Sequence, residues 1–163
     1  MISSHRAAIA NAYPLESGGL YERTLAWLAD ELASCGIEVL QLPLQDHSLL
    51  RSSLRGVGLI LVGDLRPVQG ELMLVSELAA SPARIMLLDH GYAFCGVVSR
   101  ICGRCPMVHA CPGTDRVALY RKLAGRADAI VYQSPLHREA SEHYLGAYPE
   151  KTWVIPSPRL PEV

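Results

Sequence analysis

Apolar positions along the chain switch repeatedly between two periods. Ala7 to Ala12 is a short, mostly apolar run that stops at Tyr13-Pro14, which reads as a first strand and the start of a loop. Leu25, Leu28, Leu32 and Cys35 recur at three- and four-residue steps and predict a helix over Leu20 to Ser34 with one apolar face. Gly36 stands where such a helix stops, and Cys35 is expected as a small core residue at its end. Ile37 to Leu42 alternates as a strand up to Pro43, whereas Leu44 to Arg55 shows only a loop and a helical turn or two. Val57 to Val62 is a continuous apolar run of the kind buried on both faces of a sheet.

The same grammar continues. Gly63-Asp64-Leu65-Arg66-Pro67 breaks the run, and Gly70 to Ala80 predicts a helix with Leu72, Val75, Leu78 and Ala79 on one side. Arg84 to Leu88 predicts a buried strand, Asp115 to Ala124 a helix, and Ala129 to Tyr132 a strand. Ser134 can cap a helix running to about Leu145, with Pro135 in its first position, and Thr152 to Ile155 reads as the last strand. Strands alternating with helices imply parallel pairing through right-handed crossovers. The expected fold is therefore α/β: a doubly wound, mostly parallel Rossmann-like sheet of about six strands, with a Cys-rich insertion after the fourth. All 163 residues fit one domain with one core, the insertion occupying 89–114.

Composition narrows the function classes. Half the residues are hydrophobic, enough for a proper core. Fifteen basic and sixteen acidic residues give a formal net charge of -1, without the basic field a nucleic-acid binder needs. Arg116, Arg121, Lys122 and Arg126 fall at helical spacing and read as a solvated helix face. No apolar run approaches the roughly 20 residues of a membrane span. Met1 to Arg6 is polar and leads straight into a strand-like run, so no secretory leader is expected and the chain is assigned to the cytoplasm. Thiols stay reduced there, which favours metal over disulfide for the clustered cysteines.

In parallel sheets ligands bind beyond the carboxyl ends of the strands. The loops to inspect are therefore Tyr13 to Gly19, Gly63 to Pro67, Asp89 to Thr114 and Gln133 to Ser134. Gly18-Gly19, between a strand and a helix, lets backbone N–H groups approach a phosphate, although a plain tight turn needs no more than the same pair. Glu22, in the first helical turn, suits the helix dipole whatever else it does.

The stretch Gly18-Gly19-Leu20-Tyr21-Glu22-Arg23, followed by Leu25, Leu28, Leu32, Gly36 and Ile37-Glu38-Val39, resembles the opening of family-four-type glycosyltransferases of the GT-B fold. Two further stretches are similar to that family in the same order. Leu88-Asp89-His90-Gly91 follows the fourth strand, and Ala127-Asp128-Ala129-Ile130-Val131 leads through Gln133-Ser134-Pro135 to Val154-Ile155-Pro156 at the family's interdomain hinge. The resemblance implies that Gly18 and Gly19 face the donor phosphates and that His90 lies beside the transferring sugar as the catalytic candidate. It also implies that Asp64 lines the acceptor side and Ser134 the donor or acceptor site. Bland alternatives remain: a turn residue for Asp64, a strand-end backbone contact for His90, a helix cap for Ser134. A nucleotide sugar is the implied donor substrate. A donor-binding domain, on the same or another chain, is the implied partner, and the 163 residues alone are expected to be inactive.

Cys95, Cys102, Cys105 and Cys111 follow the spacing C-x6-C-x2-C-x5-C, with His109 inside it. A C-x2-C pair on a tight loop offers the bite of a tetrahedral metal, and two more soft ligands complete a structural zinc site. An iron–sulfur cluster, favoured only by Cys111-Pro112, and unliganded cysteines are the alternatives. Arg100 to His109 also matches the first cysteine motif of nickel–iron hydrogenase large subunits. Those proteins need a second cysteine pair and a longer, largely helical chain, so the match reads as coincidence. Two further function classes stay open beside the transferase: a non-catalytic, metal-stabilised binding domain, and a redox module.

Overall fold

The strand and helix periods fold as two helical layers around one sheet. The computed structural model describes residues 5–12, 15–17, 20–44, 46–63, 65, 71–89 and 113–156. In chain order the elements are β1 (Arg6–Ala10), α1 (Leu20–Ser34), β2 (Glu38–Gln41), α2 (His47–Ser53), β3 (Leu59–Val62) and α3 (Glu71–Ala80). They continue with β4 (Arg84–Asp89), α4 (Gly113–Arg126), β5 (Ala129–Tyr132), α5 (Pro135–Leu145) and β6 (Thr152–Val154). Short 3-10 turns occupy Leu15–Ser17 and Pro149–Lys151.

All pairings are parallel, so the sheet is entirely parallel, and its strand order is β2-β1-β3-β4-β5-β6. The dinucleotide-binding order 3-2-1-4-5-6 is not adopted; winding starts at β1, moves out to β2 and reverses to β3 on the other side. Alternation along each strand sends side chains to two faces. Ala8, Ala10, Ile60, Val62, Ile85, Leu87, Ile130 and Tyr132 belong to the larger core, with Leu50 of α2, Leu74 and Leu78 of α3, Tyr120 and Leu123 of α4, and Leu145 of α5. The opposite face is thinner. Ile9 and Leu61 meet Leu25 of α1, with Leu28, Ala29 and Leu32 packed alongside.

Local chemistry explains the element ends. Gly36 adopts φ 78° and closes α1. The weakly patterned stretch before β3 forms α2, because the Asp46 carboxylate accepts the Ser48 and Leu49 N–H groups at 3.0 and 3.1 Å. Cys35 is exposed rather than in the core. The apolar stripe of α1 ends at Leu32, and the chain is already turning outward at Cys35-Gly36.

Arg126 also departs from the solvated helix face expected for it. Its Nη2 donates to the Ser81 and Ala83 carbonyls at 3.1 and 3.0 Å and ties the end of α4 to the approach to β4, whereas Arg121 and Lys122 are exposed. Lys151 acts similarly from the other side, donating to the Gly125 and Ala127 carbonyls at 2.8 and 2.9 Å. Among the described residues no helix is long and apolar enough to cross a membrane.

Candidate functional site

In a parallel sheet every carboxyl strand end and every following helix N-terminus lies on one edge. A crevice opens where two neighbouring strands send their connections to opposite faces. Here that point lies between β1 and β3, since α1 covers one face and α2 and α3 the other.

Three residues line the crevice on the α1 side. The alternation of β1 runs past its last hydrogen-bonded residue: Ala8, Ala10 and Ala12 pack on the larger core, while Ile9 faces α1. Asn11, two residues beyond Ile9, therefore continues on the α1 side, and it is 2% exposed. Gly63 follows β3, is buried, and donates its N–H to the Ala10 carbonyl at 2.8 Å, which brings it beside Asn11. Glu22 precedes Leu25 by three residues, one turn nearer the carboxyl edge on the same sheet-facing stripe, and it is 9% exposed. Asn11, Glu22 and Gly63 are thus placed on the α1 side of the sheet, beyond the Ile9–Leu25–Leu61 contact toward the carboxyl edge. A carboxylate only accepts hydrogen bonds, a carboxamide both donates and accepts, and the glycine adds no side chain to the space between them.

Of the site residues taken from the sequence, Ser134 is the described one. It caps α5: its Oγ accepts the His137 N–H at 3.1 Å, and Pro135 occupies the first turn. The oxygen serves the helix, while the hydroxyl hydrogen at the carboxyl end of β5 stays available to a ligand. Gly18, Gly19, Asp64 and His90 lie outside the described residues, as do Cys95, Cys102, Cys105 and Cys111. In sequence, Gly19 directly precedes α1, Asp64 directly follows Gly63, and His90 directly follows the last residue of β4.

No family model, curated protein or solved structure matches this chain. The site is accordingly read from its own chemistry. Asn11 was not singled out in the sequence, and Glu22 stood only as a dipole-friendly acid within a family-like stretch. The signal that finds them is a polar residue at the next position of an apolar period, visible once the faces of β1 and α1 are known. A second concavity of about 380 Å³ lies on the amino edge, among Leu54, Val57, Ala80 and Pro82. Arg51 Nε and Nη2 both donate to Glu77 Oε1 there, at 2.9 and 2.7 Å, while Glu77 Oε2 is buried without a hydrogen-bond partner.

Proposed function

We propose that the chain is the acceptor-side domain of a GT-B-type glycosyltransferase, working with a donor-binding domain on the same or another polypeptide. The observation that carries this reading is an apolar corner at the carboxyl end of the edge strand β6. Trp153 on β6 and Ile155 just beyond it are 59% and 55% exposed, and with Val154 between them packed on the larger core they share the opposite face. The Ile155 N–H donates to the Tyr132 carbonyl at 2.8 Å, so this corner adjoins the crevice edge of the sheet. Exposed large apolar residues grouped in this way mark a surface meant to be covered. The hinge and second domain of the resembled family would fall at the same residues, which is why the two lines of reasoning support one another.

In this reading Gly18 and Gly19 approach the donor diphosphate, His90 lies beside the transferring sugar, Asp64 serves the acceptor side, and Ser134 serves the donor or acceptor site. A half-cleft supplies little of the charge stabilisation a departing nucleotide diphosphate requires, and little of the positioning that makes transfer effectively unimolecular. The four cysteines Cys95, Cys102, Cys105 and Cys111 are proposed to hold a structural zinc, by their ligand chemistry alone.

The test is transfer of a labelled sugar from nucleotide-sugar donors to hydroxylated acceptors, with and without a candidate donor-binding domain. Turnover is expected only with both parts present. His90→Ala is expected to lower it by about a hundredfold through lost positioning. If no candidate domain restores turnover, the transferase reading fails; if turnover is restored but survives His90→Ala unchanged, the role of His90 fails.

A further inference from the structure

We propose that the concavity at the amino edge of the sheet binds a free apolar α-amino acid. The Glu77 carboxylate receives its ammonium, and Arg51 and Arg55 receive its carboxylate. This site stands apart from the glycosyltransferase reading, which concerns the opposite edge of the sheet.

The concavity, of about 380 Å³, lies between the ends of α2 and α3, where the chain turns into β3 and β4. That volume is at the small end of the roughly 300–1,000 Å³ usual for ligand sites, so it suits a molecule of amino-acid size. Leu54 and Val57 from one turn, and Ala80 and Pro82 from the other, give it apolar walls. Three charged side chains stand among them: Arg51, Arg55 and Glu77.

Both N–H groups that Arg51 gives to Glu77 end on one oxygen, Oε1, at 2.9 and 2.7 Å. A fork-to-fork pair would instead give one N–H to each oxygen. Oε2 is left buried without a hydrogen-bond partner, on a side chain only 15% exposed. An unmet buried carboxylate oxygen costs free energy that a donor recovers. Water meets this need badly, because a bound water wants about two to four polar partners and the walls are apolar. The last torsion of a glutamate side chain is broad, so a small turn presents the unmet oxygen to a donor in the concavity.

Charge then selects the ligand. Two arginines against one glutamate leave the lining net positive, which disfavours a simple cation. The unmet carboxylate oxygen disfavours a simple anion. A zwitterion meets both conditions. Its ammonium and carboxylate stand side by side, as the charges of Arg51 and Glu77 do, and the two pairs can align with opposite charges facing. Arg55 is exposed one turn beyond Arg51, and its side chain has no ion-pair partner among the described residues. It adds a second guanidinium fork for the ligand carboxylate. The apolar walls take the ligand side chain.

The Arg51–Glu77 pair has a simpler role, tying α2 to α3 at the surface, and such a pair contributes little to stability. That role is indifferent to amino acids. The experiment titrates the isotope-labelled chain with leucine, with isocaproate (leucine without its amino group) and with isoamylamine (leucine without its carboxyl group). The backbone amides of Gly56 and Ala80 are followed by NMR. Saturable shifts are expected with leucine, and each analogue should bind at least about tenfold more weakly for the loss of one charged hydrogen-bonding group. Glu77→Gln is expected to weaken leucine binding about tenfold and to abolish its advantage over isocaproate, at a nearly unchanged thermal midpoint. Arg55→Gln, at an exposed position, should weaken leucine and isocaproate and leave isoamylamine unchanged; it carries the test alone if Glu77→Gln does not fold. No saturable shift with leucine, equal binding of leucine and either analogue, or unchanged leucine affinity in either folded variant overturns the proposal.

Discussion

Leu25 and Leu78 are both fully buried, yet they face opposite sides of the sheet. Replacing either by alanine removes three side-chain carbons, a transfer loss of about 2.4 kcal/mol at about 0.8 kcal/mol per carbon. The cavity left behind adds to this, and its cost depends on how far the surroundings collapse. Leu25 packs in a thin cluster with Ile9 and Leu61, ringed by partly buried Leu28, Ala29 and Leu32 on one helix that can settle inward. Leu78 lies in the larger core, near Leu74, Val75, Ile85, Leu123 and Ala124, held by several elements at once. Leu25→Ala is expected to cost about 3 kcal/mol and Leu78→Ala about 4–5 kcal/mol, within the range of core Leu→Ala changes. The assay is urea unfolding at unchanged slope, so that midpoints convert directly to stability. The Leu25→Ala thermal midpoint should fall by about 6–12 °C at about 2–4 °C per kcal/mol. Equal costs, or a larger loss at Leu25, would refute the picture of one thick and one thin layer.

Other consequences can be measured in the same preparations. Asp46→Ala removes the acceptor for the Ser48 and Leu49 N–H groups and should cost about 1 kcal/mol in urea unfolding, with Asp46→Asn restoring most of it. Lys151 is desolvated where it binds the Gly125 and Ala127 carbonyls, which lowers its pKa from the ordinary 10.5 despite the opposing pull of Glu150 and Asp128. Between the lowered value and 10.5 the unfolded chain binds more protons, so folding stability relative to Lys151→Met should rise with pH in that window. A fall there would contradict the desolvation argument. Elemental analysis of the purified chain should find one zinc, lost on Cys102→Ser or Cys105→Ser. Iron with a brown chromophore would replace that assignment by a cluster.

Much of the fold was legible in the order of residues. The run Val57 to Val62 announced a doubly covered strand, and Ile60, Leu61 and Val62 are buried to both sides. Ser134-Pro135 announced a helix start and makes one. The stretch before β3 was obscure because seven helical residues give the periodicity too few turns to register, and the deciding feature is a single cap at Asp46. Cys35 misled because its spacing continues the Leu25–Leu32 stripe, although the helix ends before its side chain can reach the sheet.

Periodicity, caps and breakers are local, and they determined the strand–helix alternation, the α/β class and the loops worth inspecting. Which strands become neighbours depends on crossovers that bring distant segments together. The order β2-β1-β3-β4-β5-β6, and with it the position of the crevice, was decided by tertiary packing alone. The same holds for Glu22. Its sequence position placed a carboxylate in the first turn of a helix, but only the docking of α1 on β1 and β3 buried that residue. Burial belongs to the faces that pack together, and a residue acquires a face only when the chain has folded around it.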